Sequence, residues 1–185
     1  MKRMTSLCAA VALLVTAASV NAEEAKSGLK QGERIGAFDV VKCAGAEDDG
    51  VALGKTLCYR CKYGTRPMVM VFTRNPDEVA GLVKQLDGAV AQNSDKGLKA
   101  FVNVLSTDRD AAEKQAKKIG QGSKNVPVVV PVEFENGPAN YGINPKVETT
   151  VIIAEGGKVT ASLALDNLDE QAAKKVLTEV QNLVK

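Results

Sequence analysis

Met68-Val69-Met70-Val71-Phe72, followed closely by Asn75-Pro76-Asp77-Glu78, reads as a strand running into the first turn of a helix, and this join decides the fold. Five apolar residues in a row suit a strand covered on both faces, because a strand with one wet face alternates. The second stretch supplies a cap residue, a proline in the first turn and two acids at the positive end of the helix dipole. Val79, Leu82, Val83, Leu86 and Val90 then recur at helical spacing. Toward the C-terminus, Leu98 to Leu105 is a predicted strand with Val102 and Val104 on one face. Thr107 to Gln121 is a more polar helix, with Thr107 and Asp110 in capping-box spacing. Val126 to Val132 is a further strand, and residues 133–145, with two glycines and two prolines, are irregular. Thr149 to Ala154 and Lys158 to Leu163 form a hairpin around Glu155-Gly156-Gly157. A last helix runs from near Asn167 to the end, with Ala172, Val176, Leu177, Val180 and Leu183 inward. Toward the N-terminus, Ala37 to Cys43 has strand character around Phe38-Asp39-Val40-Val41, Ala46 to Gly50 is a turn, and Val51 to Cys61 returns as a short strand. The expected fold class is α/β: a central mixed sheet flanked by helices on both faces, with an N-terminal hairpin extension.

The first residues predict export. Lys2 and Arg3 form a basic start, Leu7 to Val15 an apolar core, and Val20-Asn21-Ala22 a small-residue cleavage site before Glu23. The apolar run is too short to span a bilayer of about 30 Å. Residues 1–22 are therefore expected to be a signal peptide, 23–35 a flexible leader and 36–185 one domain. The protein would be periplasmic or extracellular, with no integral membrane span after cleavage. Cys8 stands at the start of the apolar core, unlike a lipoprotein cysteine, and is discarded with the peptide. Cleavage leaves 163 of the 185 residues, enough to bury a core without help from metals. It also removes two basic residues and no acidic one, so the +2 of the whole chain falls to zero. No basic stripe remains to hold nucleic acid or an anionic membrane. Four phenylalanines, three tyrosines and no tryptophan offer no base-stacking platform either.

The chemistry concentrates in Cys58-Tyr59-Arg60-Cys61. A C-x-x-C in an oxidising compartment is a disulfide or a redox dithiol. The chain has no histidine, which removes the commonest general base, the commonest metal ligand and covalent haem attachment. Hydrolytic chemistry lacks both a Ser-His pairing and a G-x-S-x-G.

The whole element order resembles a thioredoxin fold of the redoxin branch, which includes peroxiredoxins and periplasmic thiol–disulfide proteins. The local likeness lies in Tyr141-Gly142-Ile143, in Val147-Glu148-Thr149-Thr150-Val151-Ile152-Ile153 and in Gly156-Gly157-Lys158-Val159, with Val129-Val130-Pro131-Val132 as the preceding strand. It covers most of residues 34–185. The resemblance implies a reactive cysteine just after the first central strand, but Thr73-Arg74-Asn75-Pro76 stands there. It also implies a cis-proline where this chain has Glu148. The chain is thus neither a typical thioredoxin nor a typical peroxiredoxin.

Three readings of the cysteines follow. Cys58 and Cys61 form a displaced redox pair, with Lys55, Arg60, Lys62 and Arg66 favouring thiolate and Cys43 as a resolving thiol. Alternatively the cysteines are structural, either as Cys58–Cys61 or as a bridge from Cys43 across the hairpin, which would contribute about 3 kcal/mol for a loop of about 15 residues. In the third, Cys43, Cys58 and Cys61 bind zinc or copper(I), which would need an acid to complete the set. The first makes the protein a thiol–disulfide exchange or redox-sensing protein, with Cys58 attacking and Cys61 resolving, or the reverse. Its partners would be exported protein thiols or a redox partner. The second makes it a non-catalytic binding or scaffold protein with a structural disulfide. No cofactor and no resident metal are expected. Glu47, Asp48 and Asp49 read as a solvated turn, Lys114, Lys117 and Lys118 as a solvated helix face, Gly120 and Gly122 as a helix end, and Tyr63 as a core residue.

Overall fold

The computed structural model describes residues 26–185, so the expected signal peptide, residues 1–22, lies outside the described residues. Seven strands form one mixed sheet: β1 (Val40–Ala44), β2 (Thr56–Leu57), β3 (Met68–Thr73), β4 (Lys99–Val104), β5 (Val128–Pro131), β6 (Thr149–Glu155) and β7 (Lys158–Leu165). Their spatial order is β2-β1-β5-β4-β3-β6-β7. The three central strands β5, β4 and β3 run parallel, and β1 and β6 flank them antiparallel. Among the described residues four α-helices accompany the sheet: α1 (Tyr59–Tyr63), α2 (Pro76–Gln92), α3 (Arg109–Gly120) and α4 (Glu170–Leu183).

The continuous apolar run of β3 is explained by its place. All six of its residues are buried. Val69 and Val71 join the core under α2, α3 and α4, while Met68, Met70 and Phe72 join a second core on the other face. The first core is aliphatic, built from Val79, Leu82 and Leu86 of α2, Ala112 and Ala116 of α3, and Val176 and Val180 of α4. The second is aromatic and holds Tyr59, Tyr63, Phe72, Phe101 and Tyr141. The three long helices thus share one face, and α1 lies on the other. Close packing on the first face explains Gly120. A Cβ there would stand 2.6 Å from the Ala44 Cβ and 2.9 Å from Val128 Cγ2, so this glycine, the last residue of α3, is also demanded by contact. The N-cap of α3 is Asp108, which accepts the Ala111 N–H at 3.1 Å, in place of the expected Thr107.

Three local expectations change. The second hairpin strand is limited to Thr56–Leu57, and the chain turns into α1 directly after Cys58. The leader is tied to the body from residue 26 onward. Gly32 N–H donates to Val159 O, Val159 N–H to Glu33 O and Ile35 N–H to Gly157 O, so this segment covers part of the β7 edge. The Ser162 hydroxyl adds a bond to Leu29 O. Finally, the acidic turn is not wholly solvated, because Asp49 serves the site described below.

The loop after α3 depends on one carboxylate. Asp87 of α2 accepts hydrogen bonds from Asn125 N–H at 2.6 Å, the Ser123 hydroxyl at 2.8 Å and Val126 N–H at 3.3 Å. Burial opposes its charge, but the bonds from Asn125, Ser123, Val126 and Lys124 together hold its carboxyl below the usual range. A carboxyl depressed in the folded state contributes stability that is complete above its unfolded pKa and is lost as pH falls through the folded one. Asp87→Ala is therefore expected to cost about 1–3 kcal/mol at neutral pH. Urea titrations at pH 7 and pH 3 should show the gap between wild type and variant shrinking below about pH 4. A gap independent of pH would count against the carboxylate as its source.

Candidate functional site

Cys58 and Cys61 are joined in a disulfide, with their Cα atoms 5.2 Å apart. Cys58 is the N-cap of α1 and keeps extended backbone angles, and its Sγ accepts the Cys61 N–H at 3.0 Å. The helix between and beyond them is anchored by Tyr59 and Tyr63, both buried. They are four positions apart and so share its inward face. Their rings meet at 5.4 Å, and both reach Phe101 of β4, at 5.8 and 6.0 Å.

Both side chains between the cysteines are tethered. The Tyr59 hydroxyl donates to Asp49 Oδ2 at 2.5 Å. The other oxygen, Asp49 Oδ1, accepts from Lys42 Nζ and from Val51 N–H, each at 2.8 Å. Lys42 Nζ also donates to Ala46 O at 2.7 Å and Val51 O at 2.8 Å, so its three protons are used. The Lys42 side chain is 1% exposed and that of Asp49 14%. Burial, then the bond to Asp49, pushes the Tyr59 phenol far above its ordinary pKa, which keeps it a donor. The turn that delivers Asp49 passes through Gly45, at φ 73°, where a Cβ would stand 2.3 Å from the Val126 carbonyl oxygen. On the other side, Arg60 Nε donates to Ile35 O at 3.1 Å, which joins α1 to the N-terminal segment. Arg60 is half-buried, whereas Lys55, Lys62 and Arg66 are exposed. Among the described residues none of these four cations is paired with a carboxylate.

Cys43 is not brought to this pair. It lies on β1 one position beyond Lys42, so its side chain takes the opposite face of the sheet. There it packs in the aliphatic core, close to Arg109, Glu113 and Lys117 of α3. Burial, reinforced by Glu113, pushes its thiol up to about 11, the reverse of an activated thiol. It is the one free cysteine among the described residues. A bridge from Cys43 across the hairpin is therefore not formed, and a metal site made of all three sulfurs does not assemble.

The junction of β3 and α2, where the redoxin resemblance would put a reactive cysteine, is built from other chemistry. The Thr73 hydroxyl lies 3.0 Å from that of Thr149 and accepts the Asn75 N–H at 3.1 Å. Arg74 donates from its guanidinium to Glu135 O and Asn136 Oδ1, and from its backbone to Glu148 O. The disulfide is on the other face of the sheet from α2. What sequence reasoning missed here is Lys42, Asp49 and the tethering role of Tyr59. Tyr59 and Tyr63 at i and i+4 were the one available signal that the C-x-x-C opens a helix.

No protein-family model matches the sequence, and no curated protein matches it. Solved structures do. A protein assigned as the thiol:disulfide interchange protein DsbE of Chlorobium tepidum superposes with a TM-score of 0.61 at 12% identity, covering 85% of this chain and 99% of that one. A protein of Bacteroides thetaiotaomicron assigned as a protein disulfide isomerase gives 0.57 at 12% identity, covering 85% and 92%. The yeast mitochondrial 1-Cys peroxiredoxin gives 0.56 at 12% identity, covering 84% and 76%. The fold is thioredoxin-like. At these identities the likeness extends to architecture, and the chemistry rests on this chain's own residues. Those residues supply a C-x-x-C disulfide in a thioredoxin-like fold.

Proposed function

We infer that this is an exported thioredoxin-like protein that carries out thiol–disulfide exchange, or senses redox state, through Cys58 and Cys61. The observation that carries the reading is the placement of the pair on the outer side of a short helix, with Cys61 exposed. An exposed disulfide is the labile kind, open to attack by an external thiolate. Unpaired Lys55 and Lys62 add positive charge near it, which favours the thiolate state of the reduced pair. Loop entropy points the same way. Closing a four-residue ring contributes about 2 kcal/mol, against about 3 for the hairpin-spanning bridge that the chain does not form, so the pair is the weaker of the two possible staples. The partners are exported thiols or a redox partner, and Cys43 stays outside the cycle. The second reading, a binding or scaffold protein, draws on the tethers of Tyr59 and Arg60, which would equally serve a fixed structural bridge.

Redox titration of the purified protein against glutathione or dithiothreitol, with thiol trapping and mass mapping, separates the two. A midpoint above about −250 mV with rapid exchange is expected. A bridge that resists reduction until the protein unfolds would leave only the structural reading. In the same preparation, made in an exporting host, the mature chain should begin at Glu23.

A further inference from the structure

We propose that Cys61, not Cys58, is the sulfur that external thiols attack and that carries the mixed disulfide, with Cys58 as the leaving and resolving thiolate. The inference rests on the exchange reading above and reverses the usual order of a C-x-x-C, in which the first cysteine meets the substrate. Three observations carry it. In α1 the inward direction is fixed by Tyr59 and Tyr63, and Cys61, two positions from each, is about 180° from it. Cys61 and its neighbour Lys62 are exposed, whereas Cys58 is half-buried. Cys58 is also held from both sides: it continues β2, which pairs with β1, and it precedes the buried Tyr59, whose hydroxyl is fixed on Asp49. Access therefore favours Cys61. Stabilisation of the departing charge favours Cys58, because its Sγ already accepts the Cys61 N–H at 3.0 Å. A sulfur that receives an N–H makes the better leaving thiolate, and exchange is faster when the leaving thiol is the more acidic one.

The reaction then balances as follows. A thiolate RS⁻ attacks Cys61 Sγ, a new R–S–S bond to Cys61 forms, the Cys58–Cys61 bond breaks, and the electron pair departs on Cys58 Sγ. A second RS⁻ attacks the R sulfur of the adduct, releasing RSSR and the Cys61 thiolate. Both protein thiolates take protons from solvent according to pH. The disulfide is reduced by two electrons, and two external thiols are oxidised to one disulfide. In the opposite direction, Cys61 thiolate opens a substrate disulfide, and Cys58 thiolate closes the ring on Cys61.

The test uses the oxidised wild-type protein with glutathione as the probe thiol. The reaction is quenched with acid within the first tenth of its course, and free thiols are alkylated at once. Trypsin cuts after Arg60 and puts the two cysteines on separate peptides. The expected result is glutathione on the Cys61 peptide and alkyl on the Cys58 peptide, at least tenfold over the converse. Glutathione on Cys58, or an even split, would overturn the assignment while leaving exchange intact. If no adduct forms and the bridge stays closed in the folded protein, the exchange reading itself fails, and the assignment with it. Cys58→Ser supplies an independent arm. Its Cys61 thiol should form a lasting adduct with glutathione disulfide, and failure to do so in a folded variant also overturns the assignment.

Discussion

Lys42→Ala is expected to lower the unfolding free energy by about 3–5 kcal/mol, measured by urea denaturation at neutral pH. The size follows from what is left behind rather than from what is removed. Without the ammonium group, Asp49 keeps its charge in a place where its side chain is 14% exposed, and its remaining donors are Tyr59 and Val51 N–H. The Ala46 and Val51 carbonyls lose a donor as well. Breaking a buried pair by taking one partner is costly in this way, whereas replacing both costs much less. The double variant Lys42→Met with Asp49→Asn should therefore recover more than half of the loss, because asparagine is neutral, its Oδ1 still accepts the Val51 N–H, and its Nδ2 can donate to the Tyr59 hydroxyl oxygen. An unchanged dependence on urea concentration would show that stability moved and the unfolded state did not. A loss below about 1 kcal/mol for Lys42→Ala, the range of exposed pairs, would mean that this network is solvated and does not hold α1.

The same residue shows how far the sequence could be read. Elements with a long period were legible: β3 by its unbroken apolar run, α2 by Val79 to Val90, and the β6–β7 hairpin by its two glycines. A mixed sheet flanked by helices followed, because a strand–helix–strand–helix–strand series ending in a hairpin admits few arrangements; the order of its strands did not. α1 was not legible, because five residues give barely one turn and no repeat to count. Lys42 could not be found either. Lysine is almost never fully buried unless paired, and its partner Asp49 lies across a turn in a run of acids that looked solvated. The two left-handed residues that fold that turn back, Gly45 and Ala46, are local geometry that composition does not disclose. The C-x-x-C itself was visible at once. Its relation to Cys43 was not, because a β-bulge lies between Lys42 and Ala44, and the strand's two faces can be assigned only once the cores on either side are known.

Phe101→Ala should cost about 3–5 kcal/mol and, more tellingly, should loosen the disulfide helix ahead of the rest of the molecule. Phe101 is fully buried on β4 and stands at the centre of the aromatic core, against Tyr59, Tyr63 and Phe38. α1 has only five residues and its packing rests on those two tyrosines, so removal of the shared ring takes away most of its apolar footing. Val102, the next residue on the same strand, faces the aliphatic core under the three long helices and provides the control. Both variants leave a cavity next to the same backbone, but only the first should lower protection of the α1 amides by more than the global loss of stability. Hydrogen exchange, corrected for each variant's unfolding free energy, reads that difference. Glutathione should likewise reduce the Cys58–Cys61 bridge faster in Phe101→Ala than in Val102→Ala, since opening of α1 exposes Cys58 as well as Cys61. Equal acceleration in the two variants would mean that the bridge is reached through global unfolding, and that the aromatic core does not set its accessibility.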